Sequence, residues 1–148
     1  MKVAVGSDHR GYKLKSRLRE LLEDRGHEVM DLGAGSEEPA DYPDFAFAVS
    51  EKVAAGEADR GILICGSGIG MSIAANKVRG IRAALCRSVR DAEMTRKHND
   101  SNVLALSEKS GDDPDINELV LTWINTPFEG GRHLRRINKI ADYEALNQ

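Results

Sequence analysis

Residues 61–70 read GILICGSGIG, an apolar run that ends in a cysteine and passes straight into a turn in which three glycines alternate with other residues. A run this apolar, with no polar alternation, suits a strand covered on both faces, as in parallel sheets. The segment after the turn, from about Ile69 to Val78, reads as a helix, so the stretch is a strand–turn–helix unit. The pattern repeats along the chain. "KVAVGSD" (2–8), "EVMDL" (28–32), "IRAALC" (81–86) and "NVLAL" (102–106) read as four more strands. Between them lie helical faces. Leu14, Leu18, Leu21 and Leu22 precede the stop at Gly26, and Phe45, Val49 and Val53 follow Asp41 as a candidate cap and end at Gly56. Residues 88–98 form a weakly periodic helix, and Ile116, Leu119, Val120, Trp123 and Ile124 mark another. Leu134, Ile137, Ile140 and Ala141 mark the last, over 132–145. The acidic stretch "SGDDPD" (110–115) reads as a solvated turn that caps the helix after it.

Strands alternating with helices at this spacing predict an α/β protein, a three-layer α/β/α Rossmann-like (flavodoxin-like) fold on a five-stranded parallel sheet of order 2-1-3-4-5. The chain of 148 residues carries no repeat, linker or low-complexity tract and reads as one domain, 1–148. A net charge of −3 and only 5% aromatic residues give no basis for nucleic-acid binding. No apolar stretch reaches the ~20 residues of a membrane span, and the N-terminus lacks the apolar run of a signal peptide. Two cysteines, Cys65 and Cys86, form no disulfide framework, so a reducing cytoplasm is the expected setting.

In doubly wound sheets a ligand binds beyond the strand C-termini, where the strand order reverses. For the order 2-1-3-4-5 that point brings "SDHRG" (7–11) to face "CGSGIG" (65–70). Gly66, Gly68 and Gly70 can turn several N–H groups towards one anion, or they can serve only a tight turn. The spacing is neither G-x-G-x-x-G nor a P-loop, and Met71 stands where a phosphatase-like loop would need arginine. Cys65 is either an inert core thiol or a base at a helix N-terminus, where a thiol's pKa falls. Cys86 has no such loop and reads as core. Ser67 lies within the presumed cradle. Asp8 and His9 are either cap and structural residues or hydrogen-bonding partners of a polar ligand. His98 and Asn99 end a helix before strand five and are placed on the same ligand-binding edge, with a helix C-cap as the plain alternative. Arg132 and Arg136, four apart after Gly130-Gly131, form a solvated basic face or a forked phosphate grip. The grip requires the last helix to fold back or to reach a neighbouring subunit.

Taken in order, "SDHRGYKLK", "DYPDFA", "GILICGSGIGMSIAANKVRGIRAALC", "RKHNDSNVLAL" and "FEGGRHLRRI" resemble the type-B ribose-5-phosphate isomerases and their sugar-phosphate isomerase relatives, from residue 1 to about 142. The resemblance implies an aldose–ketose isomerase that needs no metal or cofactor. It implies Cys65 as the base between C2 and C1, with the N–H groups of Gly66, Ser67, Gly68, Ile69 and Gly70 stabilising an enediolate. Ser67 retains a hydroxyl where relatives often carry Thr. His98, assisted by Asp8, would open the furanose. His9, Arg132 and Arg136 would hold the phosphate, Asn99 would orient sugar hydroxyls, and Tyr42 of "DYPDFA" counts among the substrate-binding residues. A homodimer or dimer of dimers with shared sites is implied, with the last helix packed on a partner. One stretch departs from the pattern: Ser107-Glu108-Lys109 replaces Gly-x-Arg, and Lys109 keeps the charge without the fork.

Two other readings compete. The same mechanism could serve allose 6-phosphate, galactose 6-phosphate or an unphosphorylated aldose, the choice resting on residues 33–44 and 107–115. A non-catalytic flavodoxin-like ligand-binding or signalling domain would need no thiol at 65, and a receiver domain would want an acidic residue there.

Overall fold

A computed structural model describes residues 1–147. The elements run β1 (Lys2–Ser7), α1 (Tyr12–Asp24), β2 (Glu28–Asp31), α2 (Tyr42–Ala54), β3 (Arg60–Cys65), α3 (Ile69–Ala75), β4 (Ala83–Leu85), α4 (Val89–Asn99), β5 (Val103–Ser107), a 3₁₀ turn over Glu108–Asp112, α5 (Ile116–Asn125) and α6 (Arg132–Asn147). All strand pairings are parallel.

Alternation along the strands divides the core into two layers. Val3, Val5, Ile62, Ile64, Leu104 and Leu106 pack with Leu14, Leu18 and Leu22 of α1 and with Leu119, Val120 and Trp123 of α5. On the opposite face Ala4, Leu63, Cys65, Val103 and Ala105 pack with Val49 and Val53 of α2 and Met71 and Ala74 of α3. The three-layer parallel sheet is therefore as the sequence predicts.

The strand order is not. It runs β2-β1-β3-β5-β4, so β5 is inserted between β3 and β4. An interior strand must be apolar on both faces. Val103, Leu104, Ala105 and Leu106 are completely buried, whereas the three residues of β4 are only half-buried. Arg82, just before β4, lies at the rim and donates to the carbonyls of Asn99 and Asp100. A short strand led by a charge belongs at an edge.

Smaller differences have local causes. Asp41 occupies the N-cap position of α2, but its side chain makes no capping bond, and Pro43 lacks the N–H it would accept. Helix α3 stops at Ala75 rather than near Val78. There Asn76 turns its amide to β4, donating to the carbonyl of Ala83 and accepting from its N–H. Ser88 caps α4, accepting from the Asp91 N–H at 3.0 Å. Of the apolar positions on α6 only Ile137 is buried, while Leu134 and Ile140 are 47% and 57% exposed.

Lys15 on α1 is buried, and its ammonium donates to Asp31 Oδ1 and to the Ala34 carbonyl, both at 2.7 Å. It pins the segment after β2 against the end of β1, where Ser7 N–H donates to Gly33 O and Ala34 N–H to Ser7 O. Burial works to raise the Asp31 pKa, but Lys15, the Gly33 N–H and Arg19 together hold it below the usual value. A carboxylate with a lowered folded-state pKa stabilises above its unfolded pKa, and that contribution is lost as pH falls through the lowered value. Lys15→Met is expected to lower stability in urea unfolding by about 2–3 kcal/mol at neutral pH. The difference from the parent should shrink in acid, below the ordinary carboxylate range.

Candidate active site

Strand β3 ends at Cys65, 4% exposed, and the chain turns at once through Gly66, Ser67 and Gly68. Gly68 has φ +78°, and a Cβ there would lie 2.6 Å from Leu85 Cδ1 and 2.8 Å from the Leu106 carbonyl carbon. Only glycine fits, and the conformation it takes carries its N–H onto Cys65 Sγ at 3.2 Å. Ile69 N–H donates to Ser67 Oγ at 3.2 Å. Tyr42, at the start of α2, lies close against Gly70, where a Cβ would sit 2.7 Å from the ring.

The corrected strand order brings a second loop to this turn. Ser107 is in register with Cys65. Its hydroxyl donates to the Gly66 carbonyl at 2.7 Å and accepts from the Lys109 N–H at 3.2 Å. From the β1 side, Arg10 reaches across Gly66 and meets Glu108 at 2.7 Å. An open crevice of about 440 Å³ lies beside the turn, lined by Gly66, Ser67, Ser107, Lys109, Arg87 and Asp113 among others. Arg10 and Arg87 were not picked out from the sequence, and Glu108 was noted only as part of the departing stretch 107–109. Arg10 stands inside "SDHRG", and Arg87 directly follows the segment read as strand four, so position relative to strand ends was the available signal.

Asp8 is buried, and its Oδ1 accepts from the N–H groups of Arg10 at 3.0 Å and Gly11 at 3.1 Å. These bonds close the turn ahead of α1 rather than cap the helix, whose N-cap position is Gly11. Asp8 lies at the crevice because its N–H donates to Ile64 O. His9 Nδ1 accepts from the Ala40 N–H at 3.1 Å, which leaves Nε2 to carry the ring proton. Cys86 is core: burial, with the Asp91 carboxylate adding to it, pushes its thiol up to about 12.

The remaining candidates lie elsewhere. Helix α4 starts at the C-terminal edge of the sheet and runs back, so its last turn is at the opposite edge from Cys65. The Asn99 carbonyl accepts from Arg82, which precedes β4, and the Asn102 carbonyl accepts from Gly61 N–H at the start of β3. The expectation that His98 and Asn99 share the ligand-binding edge is therefore corrected; a helix between parallel strands returns the chain to the other end. A six-residue strand such as β3 spans roughly 17 Å. Arg132 and Arg136, both exposed on α6, belong to this second group, since Glu129 N–H donates to Lys97 O on α4. His133, between them in sequence, is buried and stacks on His98, with ring centroids 4.3 Å apart and planes at 15°. Burial, and after it His98, Arg132 and Arg136, lowers the His133 pKa against the pull of Glu129. The candidate residues of one chain thus fall into two separate groups. Asp8, His9, Tyr42, Cys65, Gly66–Gly70 and Lys109 form one; His98, Asn99, Arg132 and Arg136 form the other.

The sequence profile described as Ribose/Galactose Isomerase matches residues 3–140. The chain belongs to this family. As a member of the ribose/galactose isomerase family it is an isomerase, and its similarity to individual members is high over nearly their whole length. It is 46% identical to ribose-5-phosphate isomerase B of Escherichia coli, covering 97% of this chain and 96% of that protein. The solved ribose-5-phosphate isomerase B of Clostridium thermocellum superposes with a TM-score of 0.96 at 50% identity over the full length of both chains. The enzyme of Mycoplasma genitalium, solved with bound ribulose-5-phosphate, is 44% identical with a TM-score of 0.91, over 97% of this chain and 96% of that one. No helix among the described residues of this family member is long and apolar enough to cross a membrane.

Gly68→Ala tests the turn. The left-handed φ together with the two close contacts is expected to lower stability by about 2–4 kcal/mol in urea unfolding. Gly80→Ala, also at positive φ but with nothing within 4 Å, should cost about 1 kcal/mol.

Proposed function

We propose that this chain interconverts ribose 5-phosphate and ribulose 5-phosphate through an enediolate. The observation that carries the reading is the thiol at the end of β3, held by the Gly68 N–H beneath a glycine turn, in a chain so similar to ribose-5-phosphate isomerases B. Cys65, as thiolate, takes the proton from C2 of the open aldose. The C2–H electrons form the C1–C2 double bond, the carbonyl π electrons move to O1, and the thiol then returns the proton to C1 while a proton passes from O2 to O1. The Ser67 N–H supports an oxyanion role, because the Gly66 carbonyl of the same peptide is held by Ser107 and the N–H points the other way. The Gly66–Gly70 turn and the Ser67 hydroxyl complete that half-site, and Tyr42 and Lys109 flank it.

Ring opening is assigned to His98, as acid towards the ring oxygen, with Asp8 assisting. Arg132, Arg136 and His9 hold the phosphate, and Asn99 meets the sugar hydroxyls. Base and acid lie at opposite edges of one sheet, so the working site is built from two copies, each lending one half-site. The exposed apolar residues Ile69 and Ile73 on α3 and Leu134, Ile140 and Tyr143 on α6 favour such an assembly, a homodimer or dimer of dimers. Two free thiols suit a reducing cytoplasm. Neither chemistry nor fold requires a metal or cofactor. A second reading, the same reaction on another aldose, is favoured by the Arg10–Glu108 pair and by Lys109 at the crevice.

Interconversion of the five-carbon pair should proceed unchanged in EDTA and fall about 10³-fold in Cys65→Ala. A wild-type protein inactive on this pair but active on a six-carbon or unphosphorylated aldose would replace the first reading with the second. Mixing Cys65→Ala with His98→Asn after unfolding and refolding together should restore about a quarter of wild-type activity, since half the dimers would be mixed and each would hold one intact site. No recovery would overturn the shared site.

A further inference from the structure

Gly130 and Gly131 both take left-handed φ, +73° and +58°, and turn the chain sharply into α6. His133 N–H donates back to Gly130 O at 3.1 Å, and Glu129 N–H ties the turn to α4 at Lys97 O. The backbone thereby fixes where the His133 ring falls, which is flat against His98 in the last turn of α4. His133 Nε2 is buried with no hydrogen-bond partner, and Glu129 Oε2, 3.6 Å away, is beyond bonding distance. An aliphatic side chain would pack there without the cost of an unpaired nitrogen, so packing alone does not explain the imidazole.

His98, Glu129 and His133 have the composition of a metal site, with donor atoms within 4.8 Å of one another. The geometry argues against it. Bonds of about 2.0 Å place tetrahedral donors roughly 3.3 Å apart, and a metal lies in the plane of each imidazole it binds. Rings stacked at 15° and 4.3 Å present planes that do not meet near their nitrogens.

A stack does something else. It fixes the plane of a ring while leaving its edge nitrogens free, which is what a proton donor aimed at one oxygen needs. We propose that His133 is a positioning residue for ring opening, its stacked imidazole holding the His98 ring in the plane from which it protonates the sugar ring oxygen. This rests on the assignment of His98 to ring opening.

Two assays separate the steps. Ribulose 5-phosphate has its O5 esterified and cannot close to a furanose, so exchange of its C1 hydrogen with D₂O, followed by NMR, reports the Cys65 step alone. Turnover of cyclic ribose 5-phosphate reports ring opening as well. His133→Ala is expected to lower kcat on the aldose about 10–100-fold while the exchange rate stays within about twofold. His133→Phe, which keeps a flat ring, should recover most of the loss. Equal losses in both assays for His133→Ala, or a Phe variant no better than Ala, would overturn the proposal. His98→Ala serves as the control: if it too lowered both assays alike, the reading of His98 itself would fail. If His98→Ala separates the assays and His133→Ala does not, the positioning role alone falls.

Discussion

The pairing of β5 with β3 is the contact on which the crevice depends. It sets Ser107 beside Cys65 in register, and from there the Ser107 hydroxyl holds the Gly66 carbonyl. The peptide that follows is then oriented, Lys109 is drawn in through its N–H, and Glu108 is placed to meet Arg10 across the turn. Had β4 been the neighbour of β3, these residues would stand a further strand away, about 4.8 Å, and the turn would lack its brace.

The sheet also imposes a limit. Parallel strands joined by helices put strand C-termini at one edge and helix C-termini at the other. A thiol at the end of β3 and an imidazole at the end of α4 are therefore held apart by the length of the sheet, however rigid each is. The two left-handed glycines before α6 and the His98–His133 stack order the far group without reference to the near one. Each of the two groups is organised by its own local contacts.

Much of this was legible in the residues. Apolar runs and leucine spacing identify each strand and helix, and the glycines after Cys65 mark the turn, because those signals are local. Strand order is not local. The clue lay in comparing Arg82 and the brief AAL with the unbroken VLAL, a question of which strand tolerates an edge. The misplacement of His98 follows from weighing residue type without following the direction of the helix that carries it. Asp8 was legible both as cap and as ligand partner, but its Oδ1 closes the turn before α1 while the N-cap position falls to Gly11. Arg10, Glu108 and His133 act through contacts between segments distant in sequence, and no spacing rule reports those.

The edge strand β4 has one further consequence. Its outer rim would offer unpaired backbone groups to any passing strand, yet Asn76 occupies that place. Its side-chain amide takes the N–H and carbonyl of Ala83 in the manner of a neighbouring peptide. At the other rim, β2 is four residues long and bounded by Glu28 and Asp31. Both ends of the sheet are thus closed to strand addition, one by a mimic of the backbone and the other by brevity and charge. The apolar side chains exposed on α3 and α6 are therefore not joined by an open sheet edge that would invite polymerisation.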